Sequence, residues 1–540
     1  MLNRETATRR SNAHKYVGIL ASLILISPIY ADTFDLTSAT VADINAAMDA
    51  GALTSEKLVE LSLARIAAYD ERGPSLNAIM LLNPAAIERA RELDEERLSK
   101  GRRSPLHGIP VVLKDNIDTS DMPTTGGSFM LKGSMPPDDA FLVQQLRAAG
   151  AIILAKLNMS EFASGGAMNS LDGATYNPHD PTRSPSGSSG GTGASIAAAY
   201  ATFGLGTDTG GSVRGPSSAN GIVGLKPTLG LLSRDGIIPL ALSFDTAGPM
   251  ARSVHDVAVA LGILAGADPA DSATLRSDEH RRDDYTQFLD LDALDGARIG
   301  IARDFMDSDE EVDWIMEAAL EAMRDAGAQI IEIELPEWLL ESRGKFYRAI
   351  RYREFRAQIA DYLETTGPQY PKTLAELIKL SKTLTSRRDD GAIPNPGRWQ
   401  LMLDEEDSGE LTDAEYVAVR EHAMPLIRSV IGGMMAEESL DAIVYPTSPT
   451  RPEKVDPDPN PGGAPGGGGS PVILANLSGF PDLIVPAGFT GRGLPVSISF
   501  LGTAFSEAKL LALGFAFEQR TKARRLPATT PALPSESIDY

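Results

Sequence analysis

Residues 107–117 read HGIPVVLKDNI, a stretch in which the apolar run Ile109–Leu113 is followed directly by Lys114. A second apolar run, IILAKL at 152–157, comes after a helical pattern over 141–149. Short apolar runs of this length predict buried strands. Because a strand, a helix and a second strand at this spacing predict a crossover connection, the stretch indicates an α/β fold with a parallel or mixed sheet.

Local signals place further elements around this unit. Thr40 with Asp43 three residues later is a helix-capping pattern, and Thr54 precedes another apolar series with helical spacing. Residues 172–193 are rich in Gly, Ser and Pro and predict a loop. We expect a helix of small residues over Ala194–Phe203, then a short strand over Gly204–Asp208. Residues 296–335 repeat the strand–helix–strand pattern.

Composition excludes several classes of protein. The 540 residues carry a net charge of −23, which argues against nucleic acid or an anionic membrane surface as a partner. The absence of cysteine removes thiol catalysis and cysteine-based metal sites. The histidines at 14, 107, 179, 255, 280 and 422 never lie within one helical turn of each other, so an HExxH metal site is absent. Nothing in the sequence implies a metal or an organic cofactor.

The first 31 residues have the pattern of a signal peptide. The basic residues Arg4, Arg9, Arg10 and Lys15 precede an apolar stretch of ten residues, Val17–Ile26, and the small residue Ala31 follows. An uncleaved anchor is the alternative, but ten residues fall short of the roughly 20 that a spanning helix needs. We therefore expect cleavage near Ala31, no stable membrane insertion afterwards, and a periplasmic or secreted protein formed by residues 32–540 as a single domain.

Two Gly/Ser clusters are candidates for chemistry. The first, SPSGSSGGTGAS at 184–195, contains a G-x-S-x-G pattern with Ser189 at its centre. A nucleophile elbow needs a strand immediately before that serine, and three prolines between 178 and 185 exclude one, so we interpret the pattern as a chance match. The second, GTDTGGSVR at 206–214, follows a predicted strand. Its glycines allow N–H groups to converge beside Ser212 and stabilise an oxyanion, although an ordinary glycine turn would have the same sequence.

Lys114 is the third candidate. A lysine at the end of a buried strand lies where α/β sheets bind their ligands, and burial lowers its pKa as a catalytic base requires. The alternative is a lysine that extends its charged end from the strand into solvent.

Taken together, these segments resemble the amidase signature family of serine hydrolases. The resemblance rests on HGIPVVLKDNI (107–117), SGSSGGTGA (186–194) and GLGTDTGGSVRGPSSANGIVGLKPT (204–228), and it continues in GFPDLIVPAG (479–488) and GLPVSISFLG (493–502). The serines at 188 and 212 are 24 residues apart, which is the family's interval between its two catalytic serines. The resemblance covers roughly residues 40–525 and implies the family fold, a large twisted mixed β-sheet core flanked by many α-helices. It also implies a catalytic block at about 104–256, a variable substrate-side region at about 300–440, and a flexible loop at 451–470.

The resemblance also implies roles for individual residues. Ser212 is expected to be the acyl nucleophile and Lys114 the base, with Ser188 between them and the Gly187–Ser188 peptide bond cis. The backbone N–H groups expected to stabilise the oxyanion are those of Thr209, Gly210, Gly211 and Ser212. Ser189 is expected to support the loop, and Asp208 and Arg214 either brace the turn as a charge pair or face the substrate.

The implied function is that of an exported amidase that hydrolyses carboxamide C–N bonds through an acyl-enzyme. Within the family, the sequence most resembles bacterial peptide amidases, which act on C-terminal peptide amides, so the expected partner is a small-molecule or peptide amide. Three alternatives stay open: an aryl or fatty-acyl amidase, the glutamine-hydrolysing subunit of an amidotransferase, and an inactive homologue that only binds. The sequence does not indicate the oligomeric state.

Overall fold

The computed structural model describes residues 33–455 and 470–540. The predicted signal peptide and residues 456–469 of the predicted flexible loop lie outside the described residues. The strands are β1 (Thr33–Asp35), β2 (Ile79–Leu82), β3 (Pro110–Lys114), β4 (Ile152–Leu157), β5 (Met168–Asn169), β6 (Gly173–Ala174), β7 (Phe203–Asp208), β8 (Val223–Lys226), β9 (Thr246–Ala251), β10 (Arg298–Ala302), β11 (Gln329–Ile333), β12 (Ala442–Pro446), β13 (Asp482–Phe489), β14 (Pro495–Leu501) and β15 (Ser537–Asp539). The helices are α1 (Val41–Asp49), α2 (Ser55–Tyr69), α3 (Ala86–Lys100), α4 (Phe141–Ala148), α5 (Gly190–Ala197), α6 (Arg214–Ala219), α7 (Val254–Leu264), α8 (Ser277–His280), α9 (Glu310–Asp325), α10 (Glu337–Glu364), α11 (Leu374–Ser381), α12 (Pro396–Glu406), α13 (Ala414–Ala418), α14 (Met424–Glu437), α15 (Ile473–Ser478) and α16 (Glu507–Thr521).

A mixed sheet forms the centre of the molecule. Over the described residues it has 11 strands in the order β11-β10-β12-β14-β13-β8-β9-β7-β3-β4-β2. Strand β3 is parallel to both β4 and β7, and β10 is parallel to β11 and β12, whereas β7, β8 and β13 pair antiparallel with their neighbours β9 and β14. The predicted α/β class and mixed sheet are confirmed.

Helices cover both faces of this sheet. Alternate side chains of a strand point to opposite faces. In β3, Val111 and Leu113 belong to the hydrophobic cluster that also contains residues of α4 and α7, whereas Val112 belongs to the cluster that contains residues of α3 and α5. A strand buried on both faces needs a continuous apolar run. This is why IPVVL carries no polar residue before Lys114, the last residue of β3.

The predicted helix caps are confirmed. Thr40 accepts a hydrogen bond from the Asp43 N–H and Asp43 accepts one from the Thr40 N–H, which is a complete capping box. Thr54 caps α2 through the N–H of Lys57. Strand β10, helix α9 and strand β11 also confirm the prediction for 296–335.

The helix predicted over Ala194–Phe203 is present, but its predicted bounds are wrong. Helix α5 begins four residues earlier, at Gly190, and ends at Ala197, while Phe203 already belongs to β7. Glycines have low helix propensity, but here close packing requires one of them within the helix. A Cβ on Gly191 would lie 2.3 Å from the Asn158 carbonyl oxygen, so only glycine fits at this position. The predicted loop over 172–193 correspondingly contains β6 and the first turn of α5.

The described start of the predicted flexible loop is paired with other parts of the chain. Lys454 forms a β-bridge with Arg183, and the N–H of Ser184 donates to the carbonyl oxygen of Glu453 at 2.8 Å. Arg451 pairs with Asp309 at the start of α9. Among the helices of the described ranges, none has the length and apolar character that crossing a bilayer would require.

Candidate active site

Lys114 and Ser188 meet in the interior of the protein. Lys114 is fully buried at the end of β3, and its Nζ donates to Ser188 Oγ at 2.7 Å and to Thr207 Oγ1 at 2.7 Å. Burial lowers the pKa of Lys114 to about 7, against the opposing effect of the carboxylates of Asp208 and Asp245. Lys114 therefore does not extend into solvent, and the lysine is held in an environment that favours its neutral form.

Ser188 and Ser189 lie at the start of α5 and contact different partners. The peptide bond between Gly187 and Ser188 is cis. Ser189 Oγ donates to the Thr207 carbonyl oxygen at 3.2 Å and accepts from the Thr207 N–H at 3.3 Å, so Ser189 joins the loop to β7. No strand precedes Ser189, in keeping with our interpretation of the G-x-S-x-G pattern.

Ser212 lies in the turn between β7 and α6, which we call the nucleophile turn (residues 208–214). Its side chain is partly exposed, and its hydroxyl makes no hydrogen bond to any described residue. The structure thus pairs Lys114 with Ser188 but records no hydrogen bond between Ser188 and Ser212. Among the described residues, the Ser212 hydroxyl is thus free at the surface of a site in which Lys114 is buried.

The four backbone N–H groups predicted to stabilise the oxyanion differ in whether they already donate a hydrogen bond. That of Gly211 donates to Asp208 Oδ1 at 2.9 Å and is therefore already used within the turn. Within 33–455 and 470–540, the N–H groups of Thr209, Gly210 and Ser212 donate to no acceptor. Unused donors at a turn of consecutive glycines form a cradle that suits a negatively charged oxygen.

Asp208 and Arg214 brace this turn. Both side chains are fully buried, and Arg214 binds Asp208 with Nε at 3.1 Å and Nη2 at 3.0 Å. Arg214 also donates to Asp482 at 2.9 Å and to the carbonyl oxygen of Val472. Burial alone would raise the pKa of Asp208, but the charge and hydrogen bonds of Arg214 hold it below its usual range. Because the Arg214 guanidinium is fully buried among these protein groups, the pair braces the turn rather than faces a substrate.

Two residues that border the turn were not predicted from the sequence. A Cβ built on Gly210 would lie 2.5 Å from the hydroxyl oxygen of Tyr347, so this phenol from α10 lies against the turn. The buried Asp245 accepts the hydroxyl of Thr209. Neither residue is near the turn in sequence, and Asp245 could have been found only from its place in the SFDTAGP motif (243–249).

A small cavity lies next to Thr207 and Thr209. Its polar lining includes Asn116, Thr207, Thr209, Arg234 and Asp245, and its apolar lining includes Leu240. Among the described residues, His, Asp and Glu side chains form no cluster of three that could hold a metal ion.

Comparison with known proteins decides the family. The sequence model of the Amidase family matches residues 57–511. The chain belongs to the amidase signature family. Among solved structures, the amidase is similar to native peptide amidase from Stenotrophomonas maltophilia, with 39% identity and a TM-score of 0.81 over 92% of this chain and 99% of that one.

Two further relatives are subunits of glutamyl-tRNA(Gln) amidotransferases. The subunit from Chloroflexus aurantiacus is 37% identical over 494 residues, covering 90% of this chain and 98% of the relative. The structure of the corresponding subunit from Thermotoga maritima has 27% identity and a TM-score of 0.68, over 92% of this chain and 99% of that one. The family and these relatives identify the protein as an enzyme that hydrolyses amide C–N bonds.

Proposed function

We propose that this amidase hydrolyses carboxamides through an acyl-enzyme on Ser212, with Lys114 as the base and Ser188 as the link between them. The observation that carries this proposal is the buried 2.7 Å contact between Lys114 Nζ and Ser188 Oγ. A lysine with a pKa near 7 is substantially neutral at neutral pH and can accept a proton. Ser–Lys arrangements replace histidine in other serine hydrolases.

The proton follows one path in both directions. Ser212 Oγ attacks the carbonyl carbon, its proton passes to Ser188 Oγ, and the proton of Ser188 passes to Lys114 Nζ. When the C–N bond breaks, the same relay returns a proton to the leaving nitrogen, which departs as ammonia or an amine. Water then attacks the ester carbon, and the relay moves its proton in the same way, releasing the carboxylic acid and free Ser212.

The unused N–H groups of the nucleophile turn supply the electrostatic part of this mechanism. Negative charge develops on the carbonyl oxygen in the tetrahedral intermediate, and fixed donors stabilise it most effectively in a site closed to water. Thr209, Gly210 and Ser212 provide such donors, whereas Gly211 contributes by holding the turn to Asp208.

We further propose that the substrates are C-terminal peptide amides, which release ammonia. The higher structural similarity to peptide amidase (TM-score 0.81) than to the Thermotoga maritima amidotransferase subunit (TM-score 0.68) supports this substrate class. The basic and apolar pattern of residues 1–31 supports export to the periplasm or the medium, with cleavage near Ala31.

A substrate panel tests the proposal. The purified protein is given short peptide amides, anilides, fatty-acyl amides and free glutamine, and ammonia or amine release is measured for the wild type and for Ser212→Ala. We expect turnover of peptide amides, its loss in Ser212→Ala, and labelling of Ser212 by a fluorophosphonate. Preference for anilides, fatty-acyl amides or glutamine would instead support the corresponding alternative. Failure of the wild type both to label and to hydrolyse any amide would favour the inactive homologue.

Export is tested separately by sequencing the N-terminus of the protein from fractionated cells. A chain that begins near Asp32 outside the cytoplasm supports export. A chain that retains Met1 in the cytoplasm overturns it and favours the amidotransferase alternative.

A further inference from the structure

Helix α10 presents an unusual row of polar side chains toward the catalytic core. Tyr347, Arg351, Glu354, Gln358 and Tyr362 are spaced by three or four residues, which places them on one side of the helix. We call them the polar stripe. Each of them contacts a segment of the core: Tyr347 lies against Gly210 and stacks on Phe244, Arg351 donates to Ser164, Glu354 accepts from Ser243, Gln358 accepts from Leu242, and Tyr362 donates to Asp118.

Three of these contacts fall on one short stretch, residues 240–245, which we call the bridging segment. Tyr347 stacks on Phe244 with ring centroids 5.5 Å apart, Glu354 binds Ser243, and Gln358 binds Leu242. The three contacts therefore follow the bridging segment in reverse order along α10, from Phe244 to Leu242. This segment also contributes Leu240, Leu242 and Asp245 to the lining of the cavity beside Thr209.

Glu354 accepts three hydrogen bonds, more than any other residue of the polar stripe. The side chain is buried, with 1% exposure, and forms no salt bridge to any described residue. Its Oε2 accepts the Ser243 N–H at 2.9 Å, and its Oε1 accepts the hydroxyls of Ser243 and Tyr416. A buried carboxylate with three donors and no cation acts as a fixed point for the backbone that donates to it.

Asp245 fixes the other end of the bridging segment and connects it to the nucleophile turn. Its Oδ2 accepts the N–H groups of Leu240 at 2.8 Å and Ala241 at 2.9 Å. Its Oδ1 accepts the hydroxyl of Thr209, the residue that follows β7 and opens the turn toward Ser212. Hydrogen bonds together with the backbone of the bridging segment therefore connect α10 to Thr209.

We propose that Glu354 and Asp245 are positioning residues, which hold the bridging segment between α10 and the nucleophile turn and so fix the oxyanion donors of Thr209 and Gly210 relative to Ser212. This inference rests on the proposed function, because it assigns these residues a part in the hydrolysis. It makes α10, which lies outside the motifs shared with the family, a determinant of the catalytic rate.

Amide and alanine variants separate positioning from charge. In Glu354→Gln, the amide oxygen can replace Oε2 and the NH₂ group can donate to the two hydroxyls, which rotate to accept. In Asp245→Asn, the amide oxygen can likewise replace Oδ2, and the NH₂ group can donate to the hydroxyl oxygen of Thr209. Both amide variants can thus keep every hydrogen bond of the wild-type side chain, whereas Glu354→Ala and Asp245→Ala remove these hydrogen bonds. Thr209→Val removes only the hydroxyl that reaches Asp245, at nearly constant volume.

Steady-state kinetics on a peptide amide and the rate of fluorophosphonate labelling of Ser212 are measured for each variant. Because a displacement of about 1 Å at reacting groups costs up to about 100-fold in rate, we expect kcat and the labelling rate to fall about 10- to 100-fold in both alanine variants and in Thr209→Val. KM should change little, and the amide variants should recover most of the rate. Arg356→Ala, which alters an α10 side chain paired with Glu410, is the control and should keep the wild-type rate.

Three outcomes distinguish this inference from the proposed function. If Thr209→Val, or an alanine variant that folds, retains wild-type kcat, the positioning role is overturned while the proposed function stands. If the amide variants lose as much rate as the alanine variants, the hydrogen bonds are not what matters and the inference is again overturned. If the wild type neither turns over amides nor labels, the proposed function fails and the inference fails with it.

Discussion

The nucleophile turn and helix α10 border the same site, but different interactions connect each of them to the core. In the turn, the fully buried ion pairs of Arg214 with Asp208 and Asp482 fix the backbone. The polar stripe of α10 reaches the core through hydrogen bonds, two of them to backbone N–H groups. Breaking a buried ion pair leaves an uncompensated charge, whereas losing one hydrogen bond costs far less. The turn is therefore difficult to change, while α10 can vary one contact at a time.

This difference suits a division of labour. Chemistry common to a family needs the lysine, the serines and the turn in one geometry, and paired charges provide it. Differences in substrate require that residues bordering the site can change without loss of the geometry of the lysine, the serines and the turn. The hydrogen bonds from the stripe to the core join residues separated by 111 to 244 positions in sequence, so the stripe lies far along the chain from the segments that it binds.

The largest effect is expected from Lys114, the base that we propose for the reaction. General acid–base groups contribute about 10²- to 10⁴-fold to rate, so Lys114→Met should lower kcat by an amount in that range. In the wild type, kcat/KM should rise with pH to a plateau above about pH 7, because burial lowers the pKa of Lys114 to about 7 and only the neutral lysine accepts a proton. A pH–rate profile and single-turnover kinetics measure both effects.

Lys226 provides the matched control for this prediction. It is also fully buried at a strand end with a pKa lowered to about 7 by burial, but its Nζ donates to the carbonyl oxygens of Pro227 and Phe480 rather than to a serine. Each lysine is protonated in the unfolded chain up to its usual pKa of about 10.4 but largely neutral in the fold above pH 7, so each makes stability increase with pH in that window. In urea unfolding, both Met variants should lose part of the increase in unfolding free energy with pH. In the rate profile, however, Lys226→Met should keep the rise of kcat/KM near pH 7. Loss of that rise in Lys226→Met would contradict the assignment of Lys114.

Elements that follow local sequence rules could be predicted, whereas contacts between distant residues could not be predicted from those rules. Strands β3 and β4 and the caps at Thr40 and Thr54 follow local rules and could be predicted. The pairing of Lys114 with Ser188 was expected only from resemblance to a family, since the two residues are 74 positions apart. The early start of α5 could not be predicted, because it depends on close packing against Asn158.

Helix α10 could not be assigned a role from the sequence, because part of its buried side is polar. Apolar periodicity marks a helix that packs on a core, but here Arg351 and Glu354 are buried alongside Ile350 and Phe355. Polar residues at helical spacing usually indicate an exposed face. Only the three-dimensional positions of their partners show that these residues face inward.

An intermediate effect is expected from Arg214, and it tests whether paired charges hold the nucleophile turn. Arg214→Ala leaves Asp208 and Asp482 buried without a cation and should lower the free energy of unfolding by about 3–5 kcal/mol. Urea unfolding above pH 6 measures this loss. Arg303→Ala removes a partly exposed arginine paired with Glu317 and Glu332 and should cost about 1 kcal/mol or less. Equal losses in the two variants would show that burial of the Arg214 pairs is not decisive.

The smallest effect is expected at the far end of the polar stripe, where the Tyr362 hydroxyl donates to Asp118 at 2.8 Å. Tyr362→Phe should lower the free energy of unfolding by about 1 kcal/mol, the usual net value of one such hydrogen bond. Burial raises the pKa of Asp118 to about 7, while Lys156 and the Tyr362 hydroxyl lower it, so this carboxyl is mainly protonated at pH 5 and mainly charged at pH 8. Since the phenol stabilises the charged form, the loss should be larger at pH 8 than at pH 5, and urea unfolding at the two pH values measures it.

Tyr370→Phe is the control, because that phenol donates to the carbonyl oxygen of Lys132 at 3.2 Å and touches no titrating group. Its effect on stability should not depend on pH. Tyr362 and Glu354 bind different segments of the core, so the losses of stability in Tyr362→Phe and Glu354→Ala should add in the double variant, as they do for sites without shared partners. Strong non-additivity would mean that α10 is fixed to the core as one rigid unit. In that case the stripe could not vary contact by contact, and the contrast with the nucleophile turn would be lost.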